Sequence, residues 1–269
     1  MNFVTLKTVT LHYEFRSAGA GKPVLVFANS LGTDFRIWDG VIGCLQGDYS
    51  ILRYDKRGHG LSAAGTPPYH MDDHVGDLTR LLDHLEVTDV ILCGLSVGGM
   101  IAQGVALTRP DLVGRLVLCD TGHKIGDRLL WQNRIDAVLK DGLKPMTDTV
   151  MERWFTSDFR QQDNPVYAGC RAMFERQEPA GYAGTCAAIR DADFTQTVRA
   201  LSAPTLCLVG SEDTSTPPAL VQKLAGLIPK ASFVVIEGAG HLPCLEQIQA
   251  FTRTLEDFIT GDRSWETNC

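Results

Sequence analysis

One serine in this chain stands between two glycines, in the run Gly94-Leu95-Ser96-Val97-Gly98. The run fits the pattern G-x-S-x-G, in which a strained turn from a strand into a helix projects a serine hydroxyl above a sheet. The flanking residues agree with such a turn, because "DVILC" before it is strand-like and "GMIAQGVAL" after it is helix-like. The pattern is short enough to arise by chance, so the hypothesis of a nucleophilic Ser96 depends on partners elsewhere in the chain.

A serine hydroxyl is a weak nucleophile at its free pKa and needs a base, whose tautomer a carboxylate holds. When the G-x-S-x-G turn is used, these partners follow in the order serine, acid, histidine. Asp213 comes just after the strand-like run 204–210, and His241 comes just after the run 232–238. Both lie at predicted carboxyl ends of strands, where the sites of open α/β sheets form. We therefore predict Ser96, Asp213 and His241 as nucleophile, acid and base.

Other acids and histidines remain as alternatives. Glu212 stands next to Asp213, and Asp120 ends the sixth predicted strand, so either residue could replace Asp213 as the acid. His59, in "YDKRGHGLS", is expected to order a structural turn. The remaining histidines are expected on the surface or in loops: His12, His70, His74, His84 and His123.

The oxyanion that develops in an acyl transfer needs preorganised hydrogen-bond donors. We assign one donor to the backbone N–H of Val97, at the start of the helix that follows the serine. The second is assigned to the backbone N–H of Leu31, in the loop "ANSLGTD" after the strand-like run 23–29. No metal is expected, because no histidine, cysteine and carboxylate cluster has a ligand spacing such as H-E-x-x-H.

Apolar β-branched runs alternate with helical patterns along most of the chain. Continuous apolar runs of this length are typical of strands covered on both faces, as in parallel sheets. After an N-terminal hairpin, the predicted strands lie at 23–29, 50–55, 89–95, 114–120, 204–210 and 232–238. The clearest predicted helices lie at 71–86, 97–110 and 219–229. The alternation predicts the α/β class, with a mostly parallel central sheet flanked by helices.

The alternation of strands and helices stops after the sixth predicted strand and resumes at Pro204. The residues between are rich in aromatic and charged side chains, and "DRLLWQNRIDAVLKDGL" and "VMERWF" are typical of amphipathic helices. We therefore predict an inserted helical cap at 122–198, within a core whose two parts are 1–121 and 199–269.

The composition is that of an ordinary globular protein of 269 residues, and the net charge is −7. This charge argues against binding to nucleic acid or to anionic membranes. The N-terminal sequence lacks the basic and apolar regions of a signal peptide, and no apolar run approaches the roughly 18 residues of a membrane-spanning helix. The eight cysteines are scattered, with no C-x-x-C pair, which indicates reduced thiols. Together these features predict a cytoplasmic protein.

Several stretches resemble the α/β-hydrolases and, within them, the 3-oxoadipate enol-lactonases of aromatic catabolism. The matching stretches are "NSLGTDFRIWD" (29–39), "LRYDKRGHGLS" (52–62), "CGLSVGGMIAQ" (93–103), "RWFT" (153–156), "GYAGTCAAIRDADF" (181–194), "TPP" (216–218) and "GAGHLPCLEQ" (238–247). Two positions depart from the usual pattern: Val97 replaces a methionine but keeps its N–H, and Asp120 replaces an asparagine. The resemblance implies an α/β-hydrolase fold with a helical cap, and hydrolysis of 3-oxoadipate enol-lactone without a cofactor.

The substrate that the resemblance implies is a small lactone with a free carboxylate, and a chain of net charge −7 needs a local cation to bind it. In "LLWQNRID", Trp131 and Arg134 lie three residues apart and so share one face of a helix. An aromatic wall beside a guanidinium suits a flat ring with a carboxylate, so we predict that these two residues bind the substrate. Arg190 and Arg153 are the alternative cations, and a homo-oligomer is compatible with the sequence.

Three other functions stay open at this point. A carboxylesterase, perhydrolase or C–C bond hydrolase of the same fold would share the triad and differ in its cap. A dehalogenase or an epoxide hydrolase would need an aspartate in place of Ser96, so the serine argues against both. A non-catalytic ligand sensor would tolerate a broken triad, whereas all three predicted residues are present here.

Overall fold

The computed structural model describes residues 1–261, which form a single eight-stranded sheet covered by helices. The strands are β1 (Asn2–Leu6), β2 (Val9–Arg16), β3 (Val24–Ala28), β4 (Ser50–Tyr54), β5 (Val90–Leu95), β6 (Val113–Cys119), β7 (Thr205–Gly210) and β8 (Ala231–Ile236). Their spatial order is β1-β2-β4-β3-β5-β6-β7-β8. The pairs β1–β2 and β2–β4 are antiparallel and the others are parallel.

Ten helices and three short 3-10 helices connect the strands within the described residues. The helices are α1 (Asp39–Cys44), α2 (Met71–His84), α3 (Val97–Thr108), α4 (Arg128–Asp141), α5 (Thr147–Trp154), α6 (Pro165–Glu175), α7 (Pro179–Asp191), α8 (Pro218–Leu227), α9 (Pro243–Glu246) and α10 (Ile248–Thr260). The 3-10 helices are Phe35–Trp38, Lys144–Met146 and Thr197–Ala200.

The predicted α/β class and its mostly parallel sheet are confirmed. All six predicted strands are present, each within two residues of its predicted ends, and β1 and β2 form the predicted N-terminal hairpin. Every residue of β5 and β7 is buried, because helices cover both faces of the parallel part of the sheet. The three predicted helices correspond to α2, α3 and α8.

The last helix, α10, is an element that we did not predict. Its buried aromatic and aliphatic residues, Phe251, Leu255 and Phe258, recur at steps of four and three along the chain. This spacing forms one apolar stripe that packs on the core. The predicted second part of the core, 199–269, extends beyond α10 into residues that lie outside the described part of the chain.

Parallel pairing brings together the residues that follow β3, β5, β6, β7 and β8. The carboxyl ends of parallel strands meet at one edge of a sheet, so the loops after them are neighbours in space. These loops carry the residues predicted for chemistry, or weighed as alternatives to them: Leu31, Ser96, Asp120, Glu212, Asp213 and His241. The topology therefore gathers them at one edge although they are spread over 211 positions from the first to the last.

The helices α4 to α7 lie between β6 and β7 and contact the core at this same edge. The carbonyl oxygen of Trp154 accepts the backbone N–H of His241 at 2.8 Å. A second contact is made by Gly181 of α7, which lies directly against Gly58. Neither position has space for a side chain. The segment is helical as expected, whereas its assignment as a cap with the boundaries 122–198 stays a prediction.

The expectation that His12 and His74 lie on the surface or in loops is wrong. His12 is a buried residue of β2 whose Nδ1 is 2.8 Å from Asp55 Oδ2, and its ring stacks on Phe35. His74 is buried in α2, where its ring meets the edge of Tyr69. Both histidine side chains are buried, and each ring packs against an aromatic neighbour.

Two further expectations concern membranes and thiols. Among residues 1–261, no helix is both long enough and apolar enough to cross a membrane. Seven cysteines in this part of the chain are free, as predicted, whereas Cys269 lies outside the described residues.

We predict that Asp55→Ala lowers the free energy of unfolding by about 3–5 kcal/mol, measured by urea denaturation. The Asp55 carboxylate is 2% exposed and accepts the backbone N–H groups of Phe35 at 2.9 Å and Leu61 at 3.0 Å, besides pairing with His12. Removing the carboxylate leaves these buried donors without an acceptor. The control is Asp163→Ala, an exposed acid that should change the free energy by less than about 0.5 kcal/mol. Similar values for the two variants would contradict this account.

Candidate active site

Ser96 occupies a strained turn between the last residue of β5 and the first residue of α3. Its backbone has φ 59° and ψ −119°, which is a region that residues with side chains rarely adopt. A Cβ atom on Gly98 would collide with the carbonyl oxygen of Ala28, and one on Gly94 would collide with that of Gly98. The two glycines are therefore required because backbone segments approach each other too closely for side chains. The serine side chain projects from this turn into a cavity.

His241 and Asp213 form a buried hydrogen-bonded pair beside this cavity. His241 Nδ1 lies 2.8 Å from Asp213 Oδ2, and both residues are 3% exposed. The carboxylate also accepts hydrogen bonds from the backbone N–H groups of Ser215 and Thr216 and from the Thr216 hydroxyl. Burial by itself would raise the pKa of Asp213, but the imidazole of His241 and these hydrogen bonds outweigh burial and lower it to about 2.

An ionised Asp213 is a hydrogen-bond acceptor only, so Nδ1 of His241 must carry the proton that the pair shares. In the neutral imidazole the other ring nitrogen, Nε2, is an acceptor and can take a proton. His241 and Ser96 line the same cavity. The arrangement can therefore supply a nucleophile, a base and a carboxylate that orients the base.

The two alternative acids have different surroundings. Glu212 is exposed, and it is the neighbouring Asp213 that pairs with His241. Asp120 is fully buried, and its Oδ1 accepts the backbone N–H of Gly210 at 2.9 Å. Burial and the negative charge of Asp213 together raise the pKa of Asp120 well above its ordinary value. Both effects favour the neutral carboxylic acid form of Asp120 beside the Asp213 carboxylate.

Among the described residues, the ligand atoms of Asp120, Asp213 and His241 lie within 4.8 Å of one another, which is close enough to consider a metal ion. An ion between His241 and Asp213 would have to replace their 2.8 Å hydrogen bond. The raised pKa of Asp120 also disfavours the carboxylate form that would bind a metal. The donor set therefore fits an acid–base pair better than a metal centre.

Leu31 lines the cavity, and Val97 directly follows Ser96, which also lines it. Val97 is the first residue of α3, where the N–H has no partner within its own helix. Leu31 lines the cavity in the loop after β3, in a turn that continues through Gly32 at φ 76°. Within the part of the chain that the structure describes, neither amide donates a hydrogen bond to a protein acceptor. Both amides are thus free to donate to a ligand.

The cavity has an aromatic and cationic wall formed by the helical segment. The residues that line it are Ser30, Leu31, Ser96, Ile125, Gly126, Leu130, Trp131, Arg134, Arg153, Trp154, Tyr182, Ser215, Thr216 and His241. Sequence patterns did not indicate roles for Ser30, Ile125, Trp154, Tyr182 or Thr216. Four of them fall within the quoted stretches "NSLGTDFRIWD", "RWFT", "GYAGTCAAIRDADF" and "TPP", which was the available signal: Ser30, Trp154, Tyr182 and Thr216.

Of the three arginines considered for a substrate carboxylate, the structure places Arg134 and Arg153 in the cavity wall. The Arg134 guanidinium lies 5.0 Å from the ring centroid of Trp131, as the shared helical face predicts. Arg190 points elsewhere and is held by Gln132 and Asp191. Across residues 1–261, neither Arg134 nor Arg153 forms a salt bridge, so their charges face the cavity uncompensated.

Comparisons with known proteins agree with this geometry. The sequence profile of the alpha/beta hydrolase fold matches residues 23–247. The chain is 34% identical to 3-oxoadipate enol-lactonase 2 of Acinetobacter baylyi over 253 residues, which cover 94% of each chain.

Two solved structures are also similar. The crystal structure of the enol-lactonase from Burkholderia xenovorans LB400 superposes with a TM-score of 0.93 and 34% identity, over 96% of this chain and 100% of that one. A thermophilic esterase from Thermogutta terrifontis has a TM-score of 0.89 and 28% identity, over 97% and 99% of the two chains. The fold that the sequence resemblance implied is confirmed, and the chain belongs to the α/β-hydrolase fold family.

Proposed function

We propose that this protein hydrolyses 3-oxoadipate enol-lactone to 3-oxoadipate, in the β-ketoadipate pathway of aromatic catabolism. The observation that carries the proposal is one cavity lined by Ser96, by the Asp213-paired His241, and by two arginines without salt bridges. A serine and an oriented base serve ester or lactone cleavage, and the arginines suit an anionic substrate. The similarity to proteins named as enol-lactonases supports this substrate.

In the first half of the reaction, His241 Nε2 takes the proton of the Ser96 hydroxyl while the oxygen attacks the lactone carbonyl carbon. The carbonyl oxygen becomes an oxyanion, which accepts hydrogen bonds from the amides of Leu31 and Val97. Collapse of this intermediate breaks the ring C–O bond. His241 gives its proton to the departing enolate oxygen, and the resulting enol tautomerises to a ketone.

In the second half, the acyl group is attached to Ser96 as an ester. His241 takes a proton from water, whose oxygen attacks the ester carbonyl through a second oxyanion. Ser96 leaves with a proton from His241, and the product carries a new carboxylate. Asp213 stays ionised throughout and stabilises the imidazolium that forms twice in the cycle.

The carboxylate that the lactone already carries is assigned to Arg134, with Trp131 against the ring. Arg134 can bind a carboxylate through two parallel hydrogen bonds, which also fixes the direction of the lactone. In this proposal residues 122–198 form a cap that supplies the binding groups, whereas the core parts 1–121 and 199–269 supply the chemistry. The route uses no metal or cofactor, and we place the enzyme in the cytoplasm.

A carboxylesterase acting on neutral esters is the second candidate. The similarity to the Thermogutta terrifontis esterase and the exposed Leu130 in the cavity lining favour it. The same triad would serve both reactions. Comparing turnover of the enol-lactone with that of 4-nitrophenyl esters separates the two candidates.

We predict that Ser96→Ala lowers kcat by about 10⁴-fold or more on the enol-lactone, because the nucleophile is lost. His241→Ala should have a similar effect, and the double variant should lose little more, since the two residues act as one unit. A spectrophotometric assay of purified, folded protein measures all three. Turnover near the wild-type value in Ser96→Ala would exclude the mechanism.

We predict that Asp213→Asn lowers kcat by about 10⁴-fold, because an amide no longer holds the imidazole in the required tautomer. Asp120→Asn is the matched control, because the amide oxygen can still accept the N–H of Gly210, and burial and the charge of Asp213 already disfavour a charge at this position. This second variant should lower kcat by less than about tenfold. If Asp120→Asn were the more damaged variant, the acid would be Asp120.

We predict that Arg134→Ala weakens transition-state binding of the enol-lactone by about 2–3 kcal/mol in kcat/KM, the scale of a charge-assisted hydrogen bond. Hydrolysis of neutral 4-nitrophenyl acetate should hardly change, because this ester has no carboxylate. Arg190→Ala is the control, as its guanidinium already binds Asp191 outside the cavity wall. An equal loss on both substrates would mean that Arg134 supports the helical segment, and a loss confined to Arg153→Ala would assign the carboxylate to Arg153.

A further inference from the structure

Lys56 is a buried lysine that has no role in the reaction as described above. It follows β4 in the stretch "YDKRGHG" and is 1% exposed. Its Nζ donates to the carbonyl oxygen of Ser30 at 2.5 Å, and a weaker contact reaches that of Asn29 at 3.4 Å. Lysine is almost never fully buried without a charged partner, and within residues 1–261 Lys56 forms no salt bridge.

This burial costs stability. Burial lowers the pKa of Lys56 to about 7, against the opposing effect of the carboxylates of Asp55 and Asp34. Burial, and next the charge of Lys56, also lower the pKa values of the nearby His59 and His74 well below the ordinary value. An apolar side chain of the same length would fill the space without a desolvation penalty. The lysine is therefore better explained by what its ammonium group does to the loop after β3.

The carbonyl that Lys56 binds belongs to the same peptide unit as the N–H of Leu31. A trans peptide is planar, and its C=O and N–H point in opposite directions. Fixing the Ser30 oxygen on the Lys56 side consequently turns the Leu31 N–H to the other side of the loop, and Leu31 lines the cavity. A cation on the oxygen also polarises the peptide, which makes its N–H a stronger donor.

Uncharged groups of the loop also hold the Ser30–Leu31 peptide in this orientation. The Ser30 oxygen also accepts the Thr33 hydroxyl at 2.9 Å, and the Asn29 side chain donates to the Thr33 carbonyl at 2.6 Å. Beneath the loop, Gly98 of α3 lies against the carbonyl oxygen of Ala28. Several contacts thus hold the loop backbone in place. The hydrogen bond from Lys56 is the one among them that an ionisable side chain donates.

We propose that Lys56 is a positioning residue, whose ammonium group holds and polarises the Ser30–Leu31 peptide so that the Leu31 N–H donates to the oxyanion. This inference rests on the proposed function, in which the Leu31 amide stabilises the tetrahedral intermediates. It adds a requirement that the triad does not contain: a buried lysine, in its protonated form, on the far side of the oxyanion-binding peptide.

The test compares Lys56→Met with wild type and with Lys124→Met, an exposed lysine that pairs with Asp193. Lys56→Met removes the charge and keeps the length of the side chain. We expect kcat on the enol-lactone and on 4-nitrophenyl acetate to fall about 10–100-fold with KM within about twofold, because the lost interaction acts mainly on the oxyanion. Lys124→Met should match wild type.

A second measurement is inhibition by phenylboronic acid, which becomes tetrahedral on a serine and places an oxygen where the oxyanion forms. Its affinity should fall by the same factor as kcat. A purely structural lysine would instead lower the melting temperature and the fraction of titratable Ser96, leaving kcat per titrated site and boronate affinity unchanged. That result would overturn the proposal.

Lys56→Gln, which is shorter and neutral but keeps a donor, repeats the test if Lys56→Met does not fold. If neither variant folds, Lys56 is structural and the proposal fails. The failure of the proposed function is recognised separately: Ser96→Ala would then remain active on both substrates. If wild type hydrolyses only 4-nitrophenyl acetate, through Ser96, the lactone assignment fails, while the effect of Lys56 on the oxyanion is still measured.

Discussion

The close approach of three backbone segments at the start of α3 is the constraint around which the rest of the site is arranged. The end of β3, the end of β5 and the first turn of α3 meet where Gly94 and Gly98 leave no space for a Cβ atom. Ser96 is held at a positive φ between them, and such strain persists only where the surroundings determine the backbone. Because the segments touch, Leu31 lines the same cavity as the serine side chain, and Val97 directly follows that serine.

Three buried ionisable side chains lie near this edge of the sheet: Asp213, Asp120 and Lys56. Hydrogen bonds from His241 and Thr216 lower the pKa of Asp213, whereas burial and the nearby charge of Asp213 raise that of Asp120. Lys56 is buried behind the loop after β3, against a carbonyl oxygen. The core thus places the buried Asp213 behind His241 and the buried Lys56 behind the Ser30–Leu31 peptide.

The helical segment between β6 and β7 completes the cavity from the other side. It contributes the aromatic and cationic wall, including Trp131 and Arg134, and its Trp154 carbonyl holds the backbone N–H of His241. The cavity is therefore lined both by this segment and by the loops that follow the strands. A change in this segment can alter which ester or lactone fits while the core is kept, which is consistent with enol-lactonases and an esterase sharing the fold at similar identity.

The sequence by itself determined the α/β class, the strand positions and the candidate nucleophile and base, because apolar periodicity and turn chemistry are local properties of the chain. It left the acid open between Asp213, Glu212 and Asp120, and it misplaced His12 and His74. Only the tertiary structure decided which carboxylate reaches His241, which arginines face the cavity and what Lys56 touches. These outcomes depend on which side chains from distant strands and helices come into contact in the folded chain. They also depend on burial, which shifts the pKa values of the ionisable groups.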